Sequence, residues 1–95
     1  MVEIKISFFS ILEDIVGKSE INVQLNDDSK IKDLINLLIK EFGKEFQENI
    51  LDSNGEINKY IILGINGKDI RSKEGLNTII HKEDDIVFLP AIAGG

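Results

Sequence analysis

Few side chains in this sequence could do chemistry by themselves. None of the 95 residues is a cysteine, which excludes disulfides, thiol nucleophiles and thiolate metal sites. The only histidine, His81, lies in a polar turn beside Lys82 and is expected to be a surface residue rather than a catalytic base. A serine–histidine–acid triad would have to include it. The sequence therefore predicts a domain with little catalytic chemistry of its own.

Carboxylates are abundant, but their spacing predicts neither a metal site nor a catalytic pair. Seventeen acidic residues against 11 basic ones give a net charge of −6, which disfavours nucleic acid as a ligand. Gly67–Lys68 lacks the spacing of a phosphate loop, and the segment 52–55 lacks that of a calcium loop, so both are interpreted as turns. The acidic clusters are runs of neighbours, which are usually solvated: Glu13–Asp14, Asp27–Asp28 and 83–85.

The terminal pair Gly94–Gly95 is the feature that such a chain could use in chemistry. It follows a strand and Pro90, so residues 91–95 are predicted to leave the domain as an extended tail. Glycine has no Cβ, and a glycine tail fits a channel too narrow for other residues. A terminal carboxylate activated by ATP would become an acyl-adenylate that a sulfur or amine nucleophile can attack. The sequence thus favours a tail that reacts in the active site of a partner.

The elements that would position this tail follow from the periodicity of apolar residues. Six of them, from Ile31 to Phe42, form one stripe of a helix, for which Asp28 or Ser29 is the expected N-cap and Gly43 the expected stop. Shorter helical pieces are expected at 10–16 and after Gly43. One main helix covers one face of a sheet, which predicts an α+β fold. Strands are expected at 2–9, 20–25, 60–65, 68–70 and 86–89, with a hairpin at Asn66–Gly67 and an end at Pro90.

The same periodicity places three apolar side chains outside the core. If Phe8 and Phe88 face the core, their neighbours Phe9 and Leu89 face solvent, and Ile62 is a weaker third case. These three residues, Phe9, Leu89 and Ile62, are the predicted partner-binding residues. Scattered surface hydrophobicity is the alternative interpretation, because isolated apolar side chains are common on protein surfaces.

Segments spread over nearly the whole chain resemble one known family. The ending 84–95 combines an acidic pair, an apolar strand, a proline and two glycines, and further similarity lies in 4–9, 31–34 and 65–68. This combination resembles the molybdopterin synthase small-subunit family of ubiquitin-like sulfur carriers. The long stretch 44–58 is similar to the longer archaeal-type or tRNA-thiolation-type members. The chain departs from the family pattern at Ala91, where a second proline is usual, and at Glu83, where glycine is usual.

The resemblance implies a β-grasp, ubiquitin-like fold with a mixed sheet of four to five strands packed on one main helix. Residues 1–90 would form the domain and 91–95 the flexible tail. The chain would be a carrier rather than an enzyme, or the non-catalytic small subunit of molybdopterin synthase. The carboxylate of Gly95 would be adenylated by a ubiquitin-activating-type enzyme and converted to a thiocarboxylate. Gly94, Ala93 and Ile92 would enter the active site of the partner.

The implied partners are that adenylating enzyme and the large subunit of molybdopterin synthase or another sulfur acceptor. No cofactor is expected to be bound, since ATP is used through the activating enzyme, and neither nucleic acid nor membrane is expected as a partner. The expected location is the cytoplasm. One alternative is a ubiquitin-like modifier joined through Gly95 to lysines. Others are a sulfur donor for tRNA thiolation or thiamine synthesis, and an interaction domain whose Gly-Gly ending has no role.

Overall fold

The computed structural model describes residues 1–90 of the chain. Within this part the longest helix has 12 residues, and no helix is long and apolar enough to span a membrane. The strands are β1 (Val2–Phe8), β2 (Glu20–Leu25), β3 (Ile61–Ile65), β4 (Lys68–Asp69) and β5 (Asp85–Pro90). The helices are α1 (Ile11–Val16), α2 (Ile31–Phe42) and α3 (Lys44–Ile50), with 3₁₀ turns at Ile70–Ser72 and Gly75–Asn77.

The five strands form one mixed sheet in the order β2-β1-β5-β3-β4. β1 and β5 are parallel neighbours at the centre, and the other adjacent pairs are antiparallel. The apolar stripe of α2 packs on one face of the sheet, which we call the inner face. This is the β-grasp architecture, so the predicted α+β fold is confirmed.

The core lies between the inner face and the helices. Alternate residues of β1 are buried, as the period-two pattern predicts, because successive side chains of a strand point to opposite faces. Phe8 lies at the centre of an aromatic cluster, with its ring centroid 5.4 Å from that of Phe88, 6.0 Å from Phe46 and 6.3 Å from Phe42. Such offset and edge contacts add to the stabilisation that burial alone gives.

The predicted N-cap of α2 is wrong. Lys30 holds the cap position, and its backbone N–H donates to Asp33 Oδ2 at 2.9 Å. Asp28 has a left-handed backbone with φ 64, and the Ser29 hydroxyl donates to the Asn26 carbonyl at 2.7 Å. Both predicted caps are therefore used by the turn before the helix, and Asp33 satisfies the exposed N–H from inside the first helical turn.

Five predicted strand limits also change by one residue. β1 ends at Phe8 rather than residue 9, β3 begins at Ile61 rather than residue 60, and β5 begins at Asp85 rather than residue 86. β4 ends at Asp69 because the next residue begins a 3₁₀ turn. β5 continues through Pro90, which pairs with Ile61. Asn66 N–H donates to the Asp85 carbonyl, so alternation along the ladder makes the Ile61–Pro90 pair a non-hydrogen-bonded one. The Pro90 nitrogen, which carries no hydrogen, therefore faces away from β3. No hydrogen bond between β3 and β5 is lost.

The predicted hairpin at Asn66–Gly67 is confirmed, with φ values of 52 and 86, and it is bonded to the start of β5. Asn66 Nδ2 donates to Asp84 Oδ1 at 2.8 Å, and the Asp85 N–H donates to Asn66 Oδ1 at 2.9 Å. Asp84 Oδ2 also accepts from the His81 N–H at 2.7 Å. Asp84 is only 8% exposed, so the prediction of a fully solvated acidic cluster is wrong for this residue. It fixes the entry to β5 instead.

Replacing Glu83 by glycine is expected to stabilise the domain by about 0.5–1 kcal/mol. Glu83 has φ 67, a left-handed conformation that costs an L-residue about 1–2 kcal/mol and that glycine adopts freely. Glycine also raises the entropy of the unfolded chain, which cancels part of this gain. Urea unfolding of Glu83→Gly measures the change. Lys82→Gly is the matched control, because Lys82 is not in the left-handed region and glycine there is expected to destabilise. Equal destabilisation by both variants would contradict the prediction.

Candidate functional site

The candidate site is an apolar patch on the outer face of the sheet, the face opposite α2. Ile62 of β3 and Leu89 of β5 are directly opposite each other in the antiparallel ladder, and both are partly exposed. Val87 lies two residues before Leu89 on the same face and is also partly exposed. We call Phe9, Tyr60, Ile62, Val87 and Leu89 the outer patch.

Two aromatic side chains complete the outer patch at one end of the sheet. Phe9 and Leu89 each follow the last paired residues of the parallel strands, Phe8 and Phe88, and Phe9 is 45% exposed. Tyr60 is 55% exposed and lies two residues before Ile62, with the Lys59 ammonium 5.2 Å from its ring centroid. Exposed aromatic and aliphatic groups at adjacent positions are typical of surfaces that bind other proteins.

A glycine lets Val87 pack over the middle of the outer face. A Cβ built on Gly64 would lie 3.2 Å from Val87 Cγ1 and 3.6 Å from the Lys68 carbonyl oxygen. Any larger residue would push on Val87, which is opposite Gly64 in the ladder and covers it. Glycine at this position therefore fixes the place of Val87 in the outer patch.

Arg71 fixes the start of β3, where the outer patch begins. Its Nη2 donates to the Ile61 carbonyl at 3.0 Å and to the Asn58 carbonyl at 3.2 Å, while Nη1 lies 3.4 Å from Asp69 Oδ2. β4 has two residues and is too short to reach Ile61. The guanidinium thus supplies the donor that a longer strand would have supplied, and holds Ile61 and its neighbour Ile62 in place.

The three predicted partner-binding residues are all at least partly exposed. Ile62 and Leu89 are opposite each other on the outer face, and Phe9 follows the end of β1; their binding of a partner stays a prediction. The predicted reactive residues, Gly95 with Gly94, Ala93 and Ile92, lie outside the described residues. Pro90, the last described residue, is adjacent to Leu89, so the chain leaves the described part beside the outer patch.

Sequence reasoning missed Tyr60, Gly64 and Arg71 as parts of this site. The alternation of side chains along β3 already placed Tyr60 and Gly64 on the outer face and could have identified them. The role of Arg71 depends on where the short β4 ends, which the sequence does not show. Within residues 1–90, no group of three or more His, Cys, Asp or Glu side chains is placed to hold a metal ion. What the outer patch offers is apolar contact area.

A sequence model of the ThiS family matches residues 6–95. The chain belongs to the ThiS family. The match covers both the outer patch and the terminal glycines, and it confirms the resemblance to ubiquitin-like sulfur carriers. ThiS-family proteins include sulfur carriers and ubiquitin-like modifiers, and as carriers they are non-catalytic.

The chain is also similar to two curated sequences and to a solved structure. A candidate sulfur carrier protein from Archaeoglobus fulgidus is 37% identical over 65 residues, which is 68% of this chain and 73% of the relative. Small archaeal modifier protein 3 from Haloferax volcanii is 26% identical over 94 residues, covering 99% of this chain and all of the relative. The solution structure of small archaeal modifier protein 1 from Methanosarcina acetivorans superposes with a TM-score of 0.82 at 28% identity, covering 100% and 98% of the two chains.

Proposed function

We propose that this chain is a sulfur carrier that bears the sulfur as a thiocarboxylate on Gly95. The observation that supports it most is the ThiS-family match, which extends through the glycines to Gly95. The 37% identity to a candidate sulfur carrier supports the same function. The side chains of the outer patch contain no nucleophile other than the phenol of Tyr60, which fits a protein whose reactive group is its own carboxylate.

The proposed cycle uses the chain as a co-substrate. The carboxylate of Gly95 attacks the α-phosphorus of ATP in an adenylating enzyme, and pyrophosphate leaves. Hydrosulfide then attacks the acyl carbon, AMP leaves, one proton is released, and the thiocarboxylate remains. The thiocarboxylate sulfur attacks an electrophilic carbon of the acceptor and displaces its leaving group, and water then cleaves the acyl–sulfur bond, which leaves the sulfur on the acceptor and restores the carboxylate. Gly94, Ala93 and Ile92 would lie in the partner's channel during each step.

The outer patch would supply the docking energy for both partners. Phe9, Ile62 and Leu89 lie beside Pro90, from which four residues lead to the proposed tail glycine Gly95. A partner that covers the outer patch would therefore receive the tail at the edge of the same interface. Because exposed aromatic and aliphatic anchors contribute most to such interfaces, these side chains are expected to set the affinity.

Intact-mass analysis of the chain from its native host tests this proposal. We expect a population whose mass has risen by the exchange of one oxygen for sulfur, and alkylation of the thiocarboxylate should raise the mass of this population further by one alkyl group. Tandem mass spectrometry should locate the change at Gly95. The matched control is the chain lacking Gly94 and Gly95 expressed in the same host, which should show no shift. A wild-type chain that never carries sulfur during active sulfur transfer would contradict the proposal.

The finer proposal is that the sulfur acceptor is the molybdopterin precursor, bound by a large synthase subunit. The resemblance of the tail 84–95 to that small-subunit family favours this acceptor over tRNA or a thiazole precursor. Supplying the thiocarboxylated chain to each acceptor system in turn distinguishes them. Sulfur transfer to tRNA and to no other acceptor would contradict the finer proposal and assign the chain to tRNA thiolation.

A second candidate function is protein modification through an isopeptide bond to Gly95. The full-length similarity to small archaeal modifier protein 3 and the fold match at 28% identity to a second modifier favour it. Conjugates would be found by mass spectrometry with a search designed for this chain. Its last basic residue is Lys82, so trypsin leaves the segment 83–95 on the target lysine rather than a Gly-Gly remnant.

A further inference from the structure

The second surface of interest is the open edge of the sheet at β2. The opposite edge, β4, has only two residues, whereas β2 pairs with β1 in six consecutive positions without a bulge. β2 contains neither proline nor lysine, the residues that usually protect an edge strand. This edge is therefore long, regular and available for pairing with another strand.

The register shows which backbone groups of β2 face outward. Phe8 N–H donates to the Ser19 carbonyl at 2.8 Å, so hydrogen-bonded pairs with β1 continue at Ile21 and Val23. The residues between them, Glu20, Asn22 and Gln24, direct their N–H and C=O groups to the open edge. Three donors and three acceptors thus lie at the spacing that an added strand requires.

A groove with an apolar floor and a charged rim lies beside this edge, between β2 and the helices α1 and α2. Ile21 and Val23 form its strand side, Val16 of α1 with Leu37 and Phe42 of α2 form its helix side, and Lys18 and Glu41 are the charged residues beside them. Leu37 is 38% exposed, a large value for leucine in a helix that packs on the core. A strand paired with β2 would place every second side chain in this groove. We call the open edge and the five apolar side chains the edge groove.

One end of the edge groove is acidic. Asp27, Asp28 and Asp33 line its continuation past Leu37, and the N-terminal ammonium of Met1 lies 3.5 Å from Asp27 Oδ1. Asp27 and Asp28 are both exposed, and a basic ligand at Asp27 would compete with the Met1 ammonium. The charge of this end complements a basic segment.

We propose that the edge groove binds an extended peptide from another protein by strand addition to β2. The peptide has aliphatic residues at alternate positions, which enter the groove, and lysine or arginine residues that lie at the Asp27–Asp28 end. Main-chain hydrogen bonds to Glu20, Asn22 and Gln24 give affinity, and the aliphatic pockets and acidic end give specificity. A second copy of this chain fits less well, because its β2 would bring both Lys18 and Glu20 to the acidic end, and the two opposite charges offset each other.

The proposal is tested with fluorescein-labelled peptides and the full chain. Two probes contain Val-Thr-Ile-Thr-Val, one with Lys-Lys-Lys at its N-terminal side and one with Lys-Lys-Lys at its C-terminal side. One of them can place its lysines at the acidic end whether the peptide pairs parallel or antiparallel to β2. One control peptide replaces the three lysines by glutamate, and another replaces the aliphatic residues by serine. We expect one basic probe to bind at least tenfold more tightly than both controls, and backbone amide NMR shifts to change most at Glu20, Asn22 and Gln24.

Matched variants separate the three contributions to binding. Leu37→Lys is expected to lower the affinity for the probe about tenfold or more. Ile11→Lys, at an exposed aliphatic position of α1, should leave this affinity unchanged. Asn22→Pro removes an outward N–H without breaking a β1–β2 bond and should weaken binding about tenfold, and Asn22→Ala should not. Neutralising Asp27 and Asp28 to asparagine should cost about five- to tenfold at low salt and remove most of the salt dependence.

The outcomes decide between occupants. Absence of binding by both basic probes at about 1 mM would overturn the proposal, since even weak peptide interactions are detected there. So would amide shifts confined to the outer patch, or affinity unaffected by Leu37→Lys in a variant that unfolds like the wild type. Sedimentation that shows a dimer broken by Asn22→Pro but not by Asn22→Ala would assign the edge groove to a second copy instead.

Discussion

Removal of Gly94 and Gly95 will abolish adenylation and sulfur loading and leave the stability of the domain unchanged. The carboxylate that remains would end on Ala93, two residues short of the position that the adenylating enzyme must reach. Within residues 1–90 no core residue lies beyond Phe88, and a terminal pair of glycines adds little to a core, so we expect the free energy of unfolding to change by less than about 0.5 kcal/mol. Pyrophosphate exchange with the activating enzyme measures the first effect, and urea unfolding the second.

A substitution that keeps the carboxylate is the control for this deletion. Gly95→Ala retains the reactive group but adds a Cβ, so activity should fall by less than in the deletion and remain measurable. Sulfur transfer at the wild-type rate by the truncated chain would show that Gly95 is not the carrier residue. The proposed mechanism would then be wrong, although the ThiS-family assignment and the fold would stand.

The strands and the main helix could be predicted because their evidence is local. The alternation through β1 and the stripe of α2 are repeated signals that survive one irregular residue, such as the exposed Leu37. Asn66–Gly67 predicted its hairpin because both residues tolerate a positive φ. These features depend on neighbours in sequence, so the chain alone contains the information.

Features that join distant segments could not be predicted in the same way. Asp84 belongs to an acidic run, and only its bond to Asn66 explains why it is buried. Arg71 contacts carbonyl groups 10 and 13 residues away, because β4 ends before it reaches them. The N-cap of α2 required a choice among three polar side chains within six residues, which local preferences do not rank. In each case the deciding fact is a tertiary position.

The two surfaces differ in predictability for the same reason. The alternation of side chains along a strand identified Phe9, Ile62 and Leu89 as outward-facing, because a buried residue predicts that the next side chain points the other way. The edge groove depends on β2 being an edge strand, which follows from the order β2-β1-β5-β3-β4 rather than from β2 itself. Sequence patterns therefore showed which residues are outside, but not which backbone groups are free to pair.

Adjacent phenylalanines at the end of β1 should have opposite consequences when each is replaced by alanine. Phe8 is fully buried among Phe42, Phe46 and Phe88, so Phe8→Ala should destabilise the domain by about 3–5 kcal/mol, the cost of a large core cavity. Phe9 is 45% exposed, and Phe9→Ala should change stability by less than about 1 kcal/mol. Urea unfolding of both variants at constant temperature gives the two values.

Binding to the activating enzyme should depend on the exposed residue, Phe9, and not on the buried one, Phe8, when folded variants are compared. Phe9→Ala removes an aromatic anchor of the outer patch, so we expect the KM of the activating enzyme for the chain to rise about tenfold, with little change in kcat. Phe8→Leu, which keeps most of the core volume, should remain folded and have a normal KM. A normal KM for Phe9→Ala would remove the outer patch from the docking interface. A raised KM for Phe8→Leu alone would show that the interface senses core packing instead of the exposed ring.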